Sequence, residues 1–253
     1  MSEPTHPMRG RPDPQARGVS APVPRRRVPS LVFDEDPELL QHVDARTATV
    51  ARRRITAQAA TLPGGSWDPE REFADAEDML GLLLLDGFVL RRVTLDGSRS
   101  AELLGPGDVI RPWSDPTGGR FEVSAGASWW STPHARIALL DEGFARGVAS
   151  LQGVIAEVGA RLAARTDTLA VRLAIAQLPN LGARLLMVFG QIADRWGERA
   201  SEEDVLVPLA LSHGTLADLV CAQRPSVTKA LGRLSEEQRL VRRKDGLWLL
   251  RGR

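Results

Sequence analysis

Cysteine is almost missing from this chain: among 253 residues only Cys221 carries a thiol. That excludes an intrachain disulfide and, within one chain, any four-cysteine zinc or iron–sulfur site. Lysine is nearly as scarce, with Lys229 and Lys244 alone among 33 cationic residues. That bias fits a GC-rich genome rather than a function. The four histidines, His6, His42, His134 and His213, show no metal-ligand spacing, so no metal site is expected. No apolar run approaches the roughly 18 residues that a membrane span needs. The N-terminus has Pro and Arg where a signal peptide has its apolar stretch, so a cytoplasmic protein without a membrane partner is expected. A P-loop, a nucleophile elbow and an HExxH run are also missing, and nothing favours an enzyme. Carboxylate pairs such as Glu35/Asp36 and Glu202/Glu203 read as solvated faces.

What is present is a chain able to bury a core, with 43% apolar and 26% charged residues. It has room for one large domain or two small ones. The net charge is +1 but unevenly placed: residues 209–253 hold nine Lys/Arg and four Asp/Glu, and residues 1–30 hold six Arg and two acids. The middle must therefore be net acidic. A basic C-terminal end on a nearly neutral chain suggests a polyanion partner for that end.

Seven prolines fall within residues 1–30, which predicts a disordered Pro/Arg-rich tail. Arg25-Arg26-Arg27 reads either as a solvated linker or as a phosphate contact. Residues 31–60 read as one or two short helices, the first starting at Asp36-Pro37 with Leu39 and Leu40 inward. The second, about 44–54, ends in Arg52-Arg53-Arg54, where cations suit the helix dipole. From 61 to 140 the texture becomes that of strands. Asp86-Gly87 and Asp96-Gly97 lie between strand-like runs, and Asp-Gly is a strong hairpin signal, so a meander is expected. Gly105-Pro106-Gly107-Asp108 turns the chain again. Further strands are expected at 121–125, 127–131 and 136–140.

Residues 141–178 read as a long helix. Leu151, Ile155, Val158, Leu162, Arg165, Leu169, Arg172 and Ala176 follow 4,3 steps, a heptad seam suited to a second copy. The stripe of Val154, Leu173 and Ile175 suits the chain's own core. The other reading is a helix buried only within one subunit. Pro179-Asn180 breaks it, and Asn180 can cap a helix over 181–196.

Residues 206–253 read as a helix–turn–helix followed by a two-stranded wing. Ser212 caps a first helix over 213–220, and Cys221-Ala222-Gln223 makes the turn. A second helix over 224–238 buries Val227, Ala230, Leu231 and Leu234 at helical spacing. Its outer face offers Arg224, Ser226 and Lys229 for base contacts in a major groove. Ser212, His213, Gly214, Gln223, Arg233 and the wing's Arg242, Arg243 and Lys244 are the candidate phosphate contacts. The other reading is a winged helix that contacts protein. Cys221 reads as a small packing residue in the turn, with a thiol sensor as the alternative.

The order of strand unit, long helix, proline break and winged helix resembles the Crp–Fnr family of bacterial transcription regulators. Leu211-Ser-His-Gly-Thr-Leu-Ala-Asp-Leu-Val-Cys-Ala-Gln-Arg-Pro-Ser-Val-Thr-Lys-Ala-Leu-Gly-Arg-Leu234 is similar, without gaps, to that family's helix–turn–helix. Leu103-Leu104-Gly-Pro-Gly-Asp108 is similar to the glycine turn of its cyclic-nucleotide-binding β-roll. The resemblance, over about residues 36–250, implies an α+β fold. Its parts would be a disordered tail over 1–30, an antiparallel β-roll sensor over 31–140, a dimerisation helix over 141–178 and a winged helix–turn–helix over 179–253. It implies a homodimer on double-stranded DNA, with RNA polymerase a candidate further partner. The dimer seam would use Leu151, Ile155, Val158, Leu162 and Leu169.

Two departures bear on the effector and the DNA site. Where nucleotide-binding members have Gly-Glu-Leu, with Glu on the ribose, this chain has Arg111-Pro112-Trp113. Arg120-Phe121 replaces the Arg-Ser or Arg-Thr pair on the cyclic phosphate. The lost carboxylate removes a charged hydrogen bond of about 1.5–3 kcal/mol, so cyclic AMP is not expected as a cofactor. Arg111, Trp113 and Arg120 remain the candidate lining of a pocket for another effector, with Trp113, Trp129 and Trp130 read as space-filling or as stacking platforms. In the recognition helix Pro225 stands where a base-reading Glu is usual, so the DNA site should differ from the family's best-known half-site. The expected function is a sequence-specific, dimeric DNA-binding transcription regulator. The alternative is a ligand-binding module that acts on a protein partner.

Overall fold

The computed structural model describes residues 26–62, 64–73, 76, 78–113 and 125–252. Strand β1 (Val28–Ser30) pairs antiparallel with β2 (Ala57–Thr61). Residues 28–30 were expected in the tail, but they form a sheet edge, where a proline such as Pro29 removes no central ladder bond. Helix α1 (Val32–Glu35), a 3₁₀ turn (Pro37–Leu40) and α2 (Ala45–Arg54) follow. Leu39 and Leu40 are buried, as their place after Asp36-Pro37 predicts. The Asp44 carboxylate caps α2 by accepting the Thr47 amide at 3.0 Å, and Arg52, Arg53 and Arg54 occupy its last turn.

Two antiparallel sheets make the roll. The remaining strands are β3 (Gly65–Trp67), β4 (Gly81–Asp86), β5 (Val89–Leu95), β6 (Ser98–Leu104), β7 (Val109–Ile110), β8 (Ala125–Ser131) and β9 (Arg136–Leu140), with α3 (Pro69–Glu72) after β3. One sheet runs β1-β2-β9-β4-β7 and the other β3-β8-β5-β6. Asp96 and Gly97 both have positive φ, 45° and 74°, and close the β5–β6 hairpin with Leu95 opposite Ser98. That is the two-residue turn the Asp-Gly pair favours. Asp86-Gly87 does something else. β4 pairs with β7 and β9 while β5 pairs with β6 and β8, so the chain changes sheets there and the expected meander is not formed. Gly87 has φ 71°, and a Cβ on it would meet Ala135 at 2.7 Å. Of the expected strand over 121–125 only Ala125 is described.

The long helical region is two helices, not one: α4 (Glu142–Val148) and α5 (Gln152–Ala176). Between them Leu151 leaves helical geometry (φ −103°, ψ 71°) and places its side chain in the core. Arginines attach α5 to the roll. Arg165 gives Nε and Nη2 to the two oxygens of Glu102 on β6 at 2.6 and 2.7 Å. Arg161 binds Asp36, Glu157 and the Gly107 carbonyl. Burial opposes the Arg161 charge, but its bonds to Asp36 and Glu157 outweigh that and raise its pKa. Arg172 donates to the Ala101 carbonyl at 3.2 Å.

Helix α6 (Leu181–Trp196) starts at Asn180, whose side chain accepts the Ala183 amide at 3.1 Å. Then come β10 (Glu198–Arg199), β11 (Val205–Val207), α7 (His213–Leu219), α8 (Arg224–Glu236), β12 (Leu240–Arg242) and β13 (Trp248–Leu250). The expected two-stranded wing is part of a four-stranded sheet, β10-β11-β13-β12. The core of this unit is closed by the roll: Phe88, Leu90 and Leu103 belong to the same buried cluster as Phe189, Leu216, Leu219, Val227 and Trp248. Strand alternation explains this, since Leu90 and Leu103 face each other across β5–β6, opposite in facing to Arg91 and Glu102. Among the described residues no helix is long and apolar enough to cross a membrane.

Candidate nucleic-acid interface

Helix α7 begins at Ser212, whose Oγ accepts the Thr215 amide at 3.1 Å, a cap worth about 1 kcal/mol. After Leu219 the backbone turns through Cys221 at φ 51°, and the Ala222 amide bonds the Ala217 carbonyl at 3.0 Å. Gln223 then precedes α8, and Pro225 sits in its first turn, where its missing N–H has no partner to lose. The apolar positions Val227, Leu231 and Leu234 are buried, which fixes the rotation of α8. Ala230 is partly buried against the same core. The opposite face is open, with Ser226, Lys229 and Arg233 exposed on it, and Arg224, in line with the buried stripe, is exposed because it begins the helix. These donors sit on the outer side and at the N-terminal tip of a helix about 11 Å wide, the size of a major groove.

Ser212, Gly214, Gln223 and Arg224 line a polar concavity of about 770 Å³ with Arg92, Gly97, Ser98 and Arg99 of the β5–β6 hairpin. The hairpin tip thus stands beside the start of α8, and Arg99 adds a cation there that sequence reasoning did not assign. Arg92 is committed elsewhere, to Asp218 of α7 at 2.9 Å. Thr228 was also missed. Its hydroxyl lies 3.0 Å from His213 Nδ1 and bonds the Arg224 carbonyl at 3.1 Å. Burial, then Arg242 and Arg224, push the His213 pKa below its ordinary value. That shift favours the neutral imidazole, which would meet a phosphate by hydrogen bonding and not by charge.

In the wing, Arg242 lies over the Trp248 ring at 5.8 Å. Arg243 pairs with Asp245 at 3.0 Å, which offsets the charge expected to meet a backbone phosphate. Lys244 is exposed and has no ion partner among the described residues. Trp248 anchors the wing by donating Nε1 to the Leu211 carbonyl at 3.1 Å. Cys221 is exposed, and burial around its thiol raises its pKa, which disfavours thiolate chemistry.

The stripe expected as a dimer seam is not the stripe that α5 leaves open. Leu151 and Val158 are buried in the chain's own core, and Arg165 and Arg172 point at the roll. The stripe left open holds Ile155, Gly159, Leu162, Thr166, Leu169 and Leu173, again at 4,3 steps. Ile155 is 40% exposed, Leu169 41% and Leu173 67%, while Leu162 is half-buried. Leu173, expected inside with Val154 and Ile175, is thus the most open of them.

In the roll, Trp113 packs on Phe73 with ring centroids 6.3 Å apart, and Arg111 lies over Trp113 at 5.9 Å. The Trp113 indole nitrogen is buried with no hydrogen-bond partner among the described residues. Trp129 meets Trp67 edge-on at 6.0 Å and carries Arg91 over its face at 5.4 Å. Trp113 and Trp129 fill space. Trp130 faces the other way, toward the winged unit. Arg120, the remaining candidate pocket residue, lies outside the described residues, as does Arg25.

No family model and no curated protein matches the chain. Solved structures do. A cyclic nucleotide-binding domain containing protein from Listeria monocytogenes is 16% identical, with a TM-score of 0.58 over 87% of this chain and 97% of that one. A CooA mutant from Carboxydothermus hydrogenoformans is 16% identical, with a TM-score of 0.57 over 77% and 83%. FixK2 from Bradyrhizobium japonicum is 16% identical, with a TM-score of 0.55 over 78% and 93%. The chain has the fold of these proteins, and the resemblance to Crp–Fnr regulators holds at the level of fold.

Proposed function

We propose that the chain is a sequence-specific, double-stranded-DNA-binding transcription regulator that acts as a homodimer and does not depend on cyclic AMP. One observation carries this reading. Helix α8 buries Val227, Leu231 and Leu234, leaves Ser226, Lys229 and Arg233 in the open on its other side, and exposes Arg224 in its first turn. In this reading Arg224 and Lys229 read bases, Arg224 by a bidentate pair with guanine and Lys229 as a single ammonium donor. Ser226 adds a hydroxyl. Ser212, Gly214, Gln223, Arg233, Arg242 and Lys244 hold phosphates, and Arg99 on the hairpin adds one more. The open stripe of α5 pairs with its copy, which sets two recognition helices against a two-fold site. The roll binds no cyclic AMP because Arg111-Pro112-Trp113 offers no ribose carboxylate and Trp113 is packed on Phe73. RNA polymerase remains a candidate partner.

Filter binding on sites selected from a random duplex pool, at two salt concentrations, tests the reading. Several phosphate contacts predict a steep loss of affinity with salt, with a log–log slope near roughly −0.9 per contact. Affinity indifferent to salt and to sequence would leave the winged unit as a protein-contact module. A dose-dependent rise in melting temperature with cyclic AMP would overturn the pocket argument.

A further inference from the structure

A second cavity, of about 830 Å³, lies between the roll and the winged unit, away from both α8 and the roll interior. Its walls come from Phe88, Leu90, Leu103 and Trp130 of the roll, Trp196 at the end of α6, and Leu209 before α7. The volume is that of a site for a small organic molecule. Trp130 is the unusual member. It is 38% exposed, and among the described residues its indole meets no other ring and donates no hydrogen bond. Trp129 beside it is buried and paired. A large aromatic face left open on the wall of an apolar cavity is a surface awaiting a flat partner.

The charges around the cavity say which partner. Asp86 and Glu198 line it and are exposed at its edge. Among the described residues of the lining the one guanidinium, Arg92, is held by Asp218 at 2.9 Å. That lining therefore offers no free cation to an anionic ligand. A ligand with an aromatic body and an ammonium tail would stack on Trp130 and set its charge near the two carboxylates, with cation–π attraction added where the tail meets an indole face.

We infer that this cavity is a binding site for a small aromatic amine, seated on Trp130 with its ammonium toward Asp86 and Glu198. Because Pro208 to Ser212 supply one wall and the roll the other, the site exists only while the two units are docked. The inference does not rest on the DNA reading, and its test needs no DNA.

The test is calorimetry on the full chain with three probes sharing one ring: tryptamine, neutral indole and anionic indole-3-acetate. Tryptamine should bind tightest and indole-3-acetate weakest. Glu198→Gln should weaken tryptamine by about two- to five-fold, the scale of an exposed ion pair, and leave indole unchanged. Trp130→Ala should lower tryptamine affinity at least ten-fold. Thr215→Phe, which adds a ring to the wall while Ser212 still caps α7, should do the same if Trp130→Ala perturbs the fold. No tryptamine binding at millimolar concentration, equal binding of indole-3-acetate, or binding that survives in both Trp130→Ala and Thr215→Phe would each overturn it.

Discussion

One carboxylate oxygen of Asp108 accepts Arg195 Nη2 at 2.6 Å, and the other accepts the Gly105 amide at 2.9 Å. The same carboxylate therefore shapes the glycine turn of the roll and clamps α6 to it. Trp196 adds a bond from Nε1 to the Pro106 carbonyl at 3.1 Å. Asp108→Asn keeps an acceptor for Gly105 but loses the charge that Arg195 meets. It should cost about 1–2 kcal/mol in urea unfolding, given that Arg195 is partly exposed. Amide exchange should quicken first near the end of α6. Unchanged stability and exchange would show that the clamp is ornamental to the docking.

Assembly should depend on one stripe of α5 and not on its neighbour. Leu173 is 67% exposed on the open heptad stripe, and Val171 is 47% exposed off it. Leu173→Glu should convert the sedimenting species from dimer to monomer, while Val171→Glu should not. A monomeric wild type, or equal effects of both changes, would remove the second copy from the reading.

Base and phosphate contacts should separate by their salt behaviour. Arg224→Ala should cost about 1–3 kcal/mol on the selected site and much less on random DNA. Lys244→Ala should weaken both alike and reduce the salt slope by about one. Equal losses on both duplexes for Arg224→Ala would argue against base reading.

The Glu157 carboxylate predicts a pH window. Burial would raise its pKa, but its bonds from Arg161 and Gln41, and the Arg161 and His42 charges, bring it below the ordinary 4.5. A group held lower in the folded chain contributes stability above its ordinary pKa and loses it as pH falls through the lowered value. Glu157→Gln should therefore lower the urea midpoint at neutral pH. The gap to wild type should narrow as pH falls below about 4.5. A gap that stays constant down to acid pH would assign the effect to packing.

Much of the fold was legible where local chemistry decides it. Pro179-Asn180 marks the start of α6, Ser212 that of α7, and Asp96-Gly97 a hairpin, all as found. Asp86-Gly87 is the same dipeptide with a different outcome, because which sheet receives the next strand depends on distant partners and on room beside Ala135. The heptad count on α5 found an apolar stripe but joined buried positions, Leu151 and Val158, to open ones, Ile155 and Leu169. Arg165 and Arg172 interrupt the counted stripe, and their partners, Glu102 and the Ala101 carbonyl, lie far back in the chain on β6. The open face of α8 at Ser226, Lys229 and Arg233 followed from helical spacing, whereas Arg224, in line with Val227 and Leu231, is open because it begins the helix. Arg99 and Thr228 were not readable, since only the docking of the hairpin and the α7–α8 contact bring them to the site. Trp130 differs from Trp129 only by strand alternation, and nothing local says which of the two faces inward.

The shared cluster of Phe88, Leu90 and Leu103 with the winged unit makes the C-terminal unit a poor spare part. Severed near Pro179 it would carry a bare oily scar in place of those three side chains, and it would clump or loosen. A chimera that grafts this C-terminal unit onto another N-terminal domain would have to transplant the patch as well.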